Sequence, residues 1–443
     1  MNTMTNRIYR KDFTNSFFMS DFFVSLQKNH SMENSDPVRV SSEIGELEAV
    51  IIHKPGEEVE LMTPCDVQEA LYSDILNMDV AQAEHAHLSG VLSKVTKTLF
   101  VKDLLTDVVK IPEARQNLID RICDAQHIRG LKEYMESRTS EQFVKNIIEG
   151  VQYSELQIKS QQRFAHRPLH NLFFTRDPSV TVNNRILVAD MNYPIRQREA
   201  VMMDVIYTYH PIFENTKTFS LKKQNRAATL EGGDLFIIRE DLFLLGIHPR
   251  TNIAGVQAFV DAQSEVMQKF QLITFELPTE PASFIHLDMA FTMLNNDECM
   301  IYAPLILNDS KYHTLRTVVD GNSVLYHDES NLLSALKNAG VDLRPIHCGG
   351  TTEEFAPSRE QWHSGTNFFC FAPGKLIGYA RNRHTIEALS NAGYSVIPST
   401  EVINGNADLS KEKKVVVTIP GSELARGGGG ARCMTMPIKR KKI

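Results

Sequence analysis

From Val38 onward, short apolar runs closed by turn residues alternate with stretches of helical periodicity, and this alternation restricts the chain to an α/β architecture. The run LEAVIIHKP (47–55) is β-branched and stops at Pro55-Gly56. Similar strand-like runs occupy 184–191, 233–241, 241–249, 298–307, 367–375, 375–381 and 413–421. Helical spacing marks 198–210, 255–270, 329–340 and 384–393. The strand–helix unit recurs without a clean sequence period. Residues 103–160 interrupt it, because their apolar spacing is helical throughout, with Ser140 ahead of Phe143 as the expected cap of one helix. The expected organisation is a first part of the α/β body at 38–102, a helical insertion at 103–160 and the rest of the body at 161–443. Residues 1–37 are polar with scattered Phe, and are expected to form a disordered extension.

Composition excludes several function classes. With 47 Lys+Arg against 54 Asp+Glu, the net charge of −7 lacks the basic footprint of a nucleic-acid binder. No stretch approaches the roughly 20 apolar residues that span a bilayer, and no basic–apolar–small secretory signal opens the sequence. Six cysteines (65, 123, 299, 348, 370, 433) are scattered without a C-x-x-C pair. That spacing fits neither a zinc site nor a disulfide framework, and points to a reducing, cytoplasmic setting.

Four segments carry residues able to do chemistry, each with a plainer reading beside it. In FIHLDMAF, a strand would put His286 and Asp288 on one face; a satisfied buried polar pair explains the same letters. In LEGGD (230–234), Glu231 and Asp234 flank two glycines that allow a ligand to approach closely, or simply a turn. In NLFFTRDP (171–178), Pro178 biases Asp177 to an extended conformation, although Asp-Pro is also common turn chemistry. In ELARGGGGARCMTMP, Gly427, Gly428, Gly429 and Gly430 suggest an open, mobile loop ahead of Cys433, whose neighbour Arg432 is expected to lower its pKa. Together these residues describe one site, with Cys433 as nucleophile, His286 as acid/base, and Asp177, Glu231 and Asp288 as a ring of carboxylates. Their spacing is not that of metal ligands, so neither metal nor cofactor is expected. A carboxylate ring without a metal suits a cation, and guanidinium is the planar cation that carboxylates grip with two bonds.

These segments, with EIGELEAVIIHKPG and the GG…REQW..G.N pattern at 349–367, resemble the arginine deiminase family from about Val38 to the C-terminus. The resemblance implies a five-fold pseudo-symmetric α/β propeller (the pentein fold) with an inserted helical bundle. It places Cys433 at the nucleophile, His286 at the acid/base, Asp177 and Asp288 at the guanidinium, and Glu231 behind the histidine. It places Phe174 beside the guanidinium, and Asn171, Arg196 and Arg250 at the α-amino and α-carboxylate ends of L-arginine. Four positions depart from the family pattern. Gly428 stands for an arginine, Pro249 for a glutamate, and Ser73 and Ser364 for aspartates, which bears on specificity and gating rather than chemistry. An amidinotransferase, a deiminase of another guanidine such as agmatine, and a non-catalytic arginine-binding or adhesion protein remain the alternatives. The expected partner is the small-molecule substrate, with no nucleic acid or membrane; a homo-oligomer is left open.

Overall fold

A computed structural model describes residues 36–443 apart from 69 and 308–311; the expected N-terminal extension lies, through residue 35, outside the described residues. The apolar runs form small mixed sheets that share one plan: an antiparallel pair of strands, with a third strand parallel to the central one. Ser179–Val182, Arg185–Val188 and Lys217–Phe219 make one such sheet. Leu235–Arg239, Leu242–Ile247 and Lys269–Glu276 make the next, followed by Phe291–Asn295, Glu298–Ile301 and Arg344–His347. Phe369–Ala372, Lys375–Tyr379 and Val415–Ile419 repeat the plan. In the remaining case the last strand, Met436–Arg440, runs antiparallel to Leu47–Ile52, which is parallel to Lys97–Phe100. Central strands such as Leu242–Ile247 are buried on both faces, so their sequences read as continuous apolar runs rather than alternating ones.

Helices cover the sheets. Pro194–Tyr209 starts with proline in its first turn, where the missing N–H costs nothing. Four helices (Val101–Val108, Pro112–Gln126, Leu131–Glu136, Ser140–Glu149) follow one another over the stretch expected to be helical. Their apolar faces, including Leu105, Ile119, Phe143 and Ile147, share a core with Met202 and Ile206 of Pro194–Tyr209.

Several expected boundaries shift. The cap of Ser140–Glu149 is Thr139, in a reciprocal box with Gln142, so Ser140 is already the first helical residue. The run at 298–307 divides into a strand and the helix Ala303–Ile306, because Pro304 starts a turn that a strand cannot continue. The helix expected over 255–270 stops at Ser264, and Lys269 already begins a strand. The hairpin Thr314–Asp320 with Ser323–Glu329 was not expected, and it extends one sheet to five strands. Among the described residues, no helix is long and apolar enough to cross a membrane.

One topological regularity positions the site. The loops at 171–178, 231–234, 286–289, 364–367 and 427–433 each lie immediately before the leading antiparallel strand of a different sheet. Residues far apart in sequence therefore occupy equivalent places in the plan and converge.

Candidate active site

Cys433 is buried at the end of the glycine loop. Its sulfur lies 3.4 Å from Asp288 Oδ2 and accepts a hydrogen bond from Asn367 Nδ2 at 3.2 Å. Burial pushes its thiol well above the ordinary value, and Asp288 and Asp177 push it further. Arg432 does pull this pKa down, as expected, but burial and the two aspartates outweigh it. The Arg432 guanidinium forks onto Glu43, donates 3.0 Å to Asp288 Oδ2 and stacks 3.7 Å over Phe236, so its charge is largely compensated by these two carboxylates.

His286 is not on a strand. It caps the short 3₁₀ turn Leu287–Met289, which holds Asp288, and this corrects the expected shared strand face. The turn still brings both residues to the site. Asp234 Oδ1 accepts the Leu287 N–H at 2.9 Å, while its other oxygen accepts from Thr251 Oγ1 at 2.6 Å. His286 Nε2 lies 2.9 Å from Glu231 Oε2, and Nδ1 lies 3.6 Å from Asp177 Oδ1. Burial alone would lower the histidine pKa, but Asp177, Asp234 and the Glu231 hydrogen bond outweigh it and raise the value. Glu231 moves the other way: despite burial, Arg250 and His286 bring it to about 2. Burial raises Asp234 to about 7.

Both glycines of LEGGD are required by close approach. A side chain at Gly232 would overlap the Arg176 carbonyl, and one at Gly233 would overlap the His286 ring. The glycine loop is likewise packed rather than open, which corrects the expectation from sequence. A Cβ at Gly429 would overlap Phe174 and come 2.9 Å from Cys433 Cβ; one at Gly430 would come 2.7 Å from Asn367 Oδ1. Gly428 has φ of +90°, a left-handed conformation that disfavours the arginine found there in the family pattern.

Arg196 Nη1 donates to Asp177 Oδ2 at 2.6 Å, and the same guanidinium donates to both oxygens of Glu199 at 2.8–3.2 Å. Arg250 Nη1 reaches Glu231 Oε2 at 3.4 Å, and Asn171 Nδ2 donates to the Ala70 carbonyl at 2.8 Å. Phe174 leans on Phe173, ring centroids 4.1 Å apart. Asn171, Phe174, Asp177, Arg196, Arg250, His286, Gly427, Gly428, Gly429 and Cys433 line one cavity of about 20 Å³, with Leu71, Ile285 and Met289. Glu231, Asp288 and Gly430 do not line it: the two carboxylates touch His286 and Cys433 from behind, and Gly430 packs on Asn367. Asp177 Oδ1 and Asp288 Oδ1 are buried without a hydrogen-bond partner. Among the described residues, no group of three or more His, Cys, Asp or Glu is placed to hold a metal.

Sequence reasoning passed over Asn367, Glu199 and the role of Asp234. Glu199 had a usable signal, since Arg196 and Glu199 are i, i+3 on a helix. Asn367 had none beyond its place in a motif.

Two comparisons define the class. The chain has the fold of the N-terminal domain of ArgZ, whose structures include one covalently bound to a reaction intermediate (TM-score 0.50, 12% identity, 88% of this chain and 98% of that one). A product-bound structure of the same domain, from an arginine dihydrolase of cyanobacteria, matches equally (TM-score 0.50, 12% identity, 88% and 97%). The mixed α/β body is thus of the pentein type. A profile of arginine deiminase matches residues 68–440. Arginine deiminases of Bacillus cereus (31% identity, 92% of this chain and 99% of the relative) and of Streptococcus equi subsp. zooepidemicus (30%, 93% and 100%) align over nearly their whole length. The chain belongs to the arginine deiminase family.

Proposed function

We propose that this chain hydrolyses L-arginine to L-citrulline and ammonia through a covalent intermediate on Cys433. The observation that carries the reading is the pair of buried carboxylate oxygens, Asp177 Oδ1 and Asp288 Oδ1, left without hydrogen-bond partners around a cysteine and a histidine. Two unpaired acceptors in a buried site are costly unless a donor arrives. A guanidinium supplies donors along two edges and a positive charge.

That charge also solves the problem of the thiol. In the resting site, burial and two aspartates keep Cys433 protonated. A guanidinium held between those aspartates offsets their charge and favours the thiolate when the electrophile is in place, the thiol proton passing to solvent. The sulfur then attacks Cζ. His286, held protonated by its carboxylates, gives its proton to the departing nitrogen as the C–N bond breaks, leaving ammonia and an S-alkylthiouronium. The neutral imidazole next takes a proton from water as the oxygen adds to the same carbon. Collapse breaks the C–S bond and expels the thiolate, the hydroxyl proton passes to that sulfur to restore the resting thiol, and neutral citrulline is released. Each proton transfer contributes roughly 10²–10⁴-fold. Arg196 and Arg250 bind the α-carboxylate, Asn171 the α-amino end, and Phe174 flanks the guanidinium; the glycine loop 427–430 acts as the gate.

On the same reading, the sheets of common plan are blades of a five-fold propeller, and the helical stretch is an insertion after its first unit. The test is Cys433→Ser. It should abolish citrulline formation while calorimetry still registers arginine binding; a variant that keeps near-normal turnover refutes the nucleophile.

A further inference from the structure

Four of the five loops that lead into the sheets deliver Asp177, Glu231, the His286–Asp288 pair and Cys433. The fifth, 364–367, delivers Asn367, to which neither the motif reading nor the family comparison gives a role. Asn367 is buried, and hydrogen bonds hold its own N–H and the residue before it. Its own N–H donates to Ser364, while the neighbouring Thr366 carbonyl accepts from Thr292 Oγ1 at 2.6 Å and Thr366 Oγ1 donates to the Asp288 carbonyl at 3.2 Å.

The orientation of the Asn367 amide follows from its partners. One end accepts the main-chain N–H groups of Arg432 at 3.0 Å and Cys433 at 3.1 Å, so that end is the oxygen. The other end is therefore the nitrogen, with two hydrogens to give. One points to Cys433 Sγ at 3.2 Å and the other to the Asp288 carbonyl at 3.3 Å. Gly430 makes room for this, since a Cβ there would press on the Asn367 oxygen, Cβ and carbonyl at 2.7–2.9 Å.

We propose that Asn367 is a catalytic residue, whose amide N–H donates to the Cys433 sulfur and stabilises the thiolate as attacking nucleophile and again as leaving group. An amide nitrogen is a donor only, so it favours the anionic sulfur over the thiol or the thioether of the intermediate. It forms no bond and moves no proton; it lowers the energy of the sulfur at the two points where that atom carries charge. The same amide fixes the cysteine main chain through its oxygen, so nucleophile and donor move as one unit. Asn367 thereby complements the cationic substrate, which offsets the aspartates but does not touch the far side of the sulfur. The inference rests on Cys433 being the nucleophile.

Asn367→Asp separates the two ends of the amide. It keeps an acceptor for the Arg432 and Cys433 N–H groups, removes the donor to sulfur and adds a charge beside it. Iodoacetamide labelling of Cys433, followed by mass spectrometry from pH 6 to 10, reads the thiol without turnover. The expected result is labelling slowed by about ten-fold or more at neutral pH. The pH profile shifts to the alkaline side and kcat falls by roughly 10–10³-fold, with KM for arginine changed by less than about three-fold. A wild-type labelling profile overturns the proposal, whether activity is normal or the loss lies in KM. Should N367D fail to fold, Asn367→Ala removes the donor without adding charge and is judged on the same readouts, with smaller changes of the same sign. If C433S retained activity, the nucleophile reading would fall on that result alone, whatever the labelling profile shows.

Discussion

Replacing Asp288 by asparagine should make the nucleophile more reactive and the enzyme slower. Asp288 Oδ2 lies 3.4 Å from Cys433 Sγ, both residues buried. At an effective dielectric near 20, a unit negative charge at that separation destabilises a thiolate by about 5 kcal/mol. Arg432, 3.0 Å from the same oxygen, offsets part of this. We carry forward only about 1.4 kcal/mol, which is roughly ten-fold in thiolate population. The asparagine would keep the shape and an oxygen for Arg432, but would lose the charge that opposes the thiolate and grips the guanidinium. Without substrate at pH 7, iodoacetamide should label Cys433 of Asp288→Asn at least about ten-fold faster than wild type. Citrulline formation should drop by at least about 10²-fold. Labelling no faster than wild type would show that Asp288 does not hold the thiol protonated. Turnover within about three-fold of wild type would remove it from the substrate grip.

Two further outcomes follow from the same geometry. Asp234, raised from 3.8 to about 7 by burial, binds its proton more tightly folded than unfolded, so its ionisation weakens the fold. Wild type should therefore lose stability relative to Asp234→Asn as pH rises from 3.8 to about 7, and change little above; urea titrations at pH 4, 5.5, 7 and 8 measure this, and a pH-independent difference contradicts it. Agmatine, which lacks the α-carboxylate, should be turned over with kcat/KM at least about 10²-fold below arginine, because Arg196 gives up Asp177 and, though it keeps Glu199, gains no carboxylate in exchange, a loss on the order of 3 kcal/mol; comparable values for the two substrates would remove Arg196 from specificity.

The α/β class and the helical stretch were legible because strands buried on both faces and amphipathic helices leave periodic traces. Residues 242–247 and 140–149 were read correctly in kind, the latter misplaced at its cap by one residue. The hairpin at 314–329 left a weaker trace: Ser323–Glu329 is exposed along most of its length, so no buried face imposes alternation on it. His286 and Asp288 were paired for the wrong reason, since a 3₁₀ turn held by Asp234 rather than a strand face brings them together. The glycine loop misled in another way. Runs of glycine signal freedom in an isolated chain, whereas here three of the four are buried and two press on Phe174 or Asn367. Asn367 was invisible as chemistry because an amide has no charge and no reactive atom; only the two N–H groups it accepts reveal which way it points.

The small volume of the cavity and the position of Arg196 belong together. A space of about 20 Å³ holds on the order of one water, not an arginine side chain. What fills the place of a substrate guanidinium on Asp177 is another guanidinium, that of Arg196, with Glu199 on its other edge. On the proposed function, admitting L-arginine amounts to an exchange. Asp177 trades the Arg196 guanidinium for that of the substrate, and Arg196 keeps Glu199 while trading Asp177 for the substrate carboxylate. One buried ion pair is broken and two are made, so no charge is left bare at the end, although breaking that pair alone would be very costly. A ligand with only one of the two ends cannot complete the trade. On that reading, recognition of the α-carboxylate is coupled to vacating the guanidinium site, and the group that selects the substrate is the one that holds its place until it arrives.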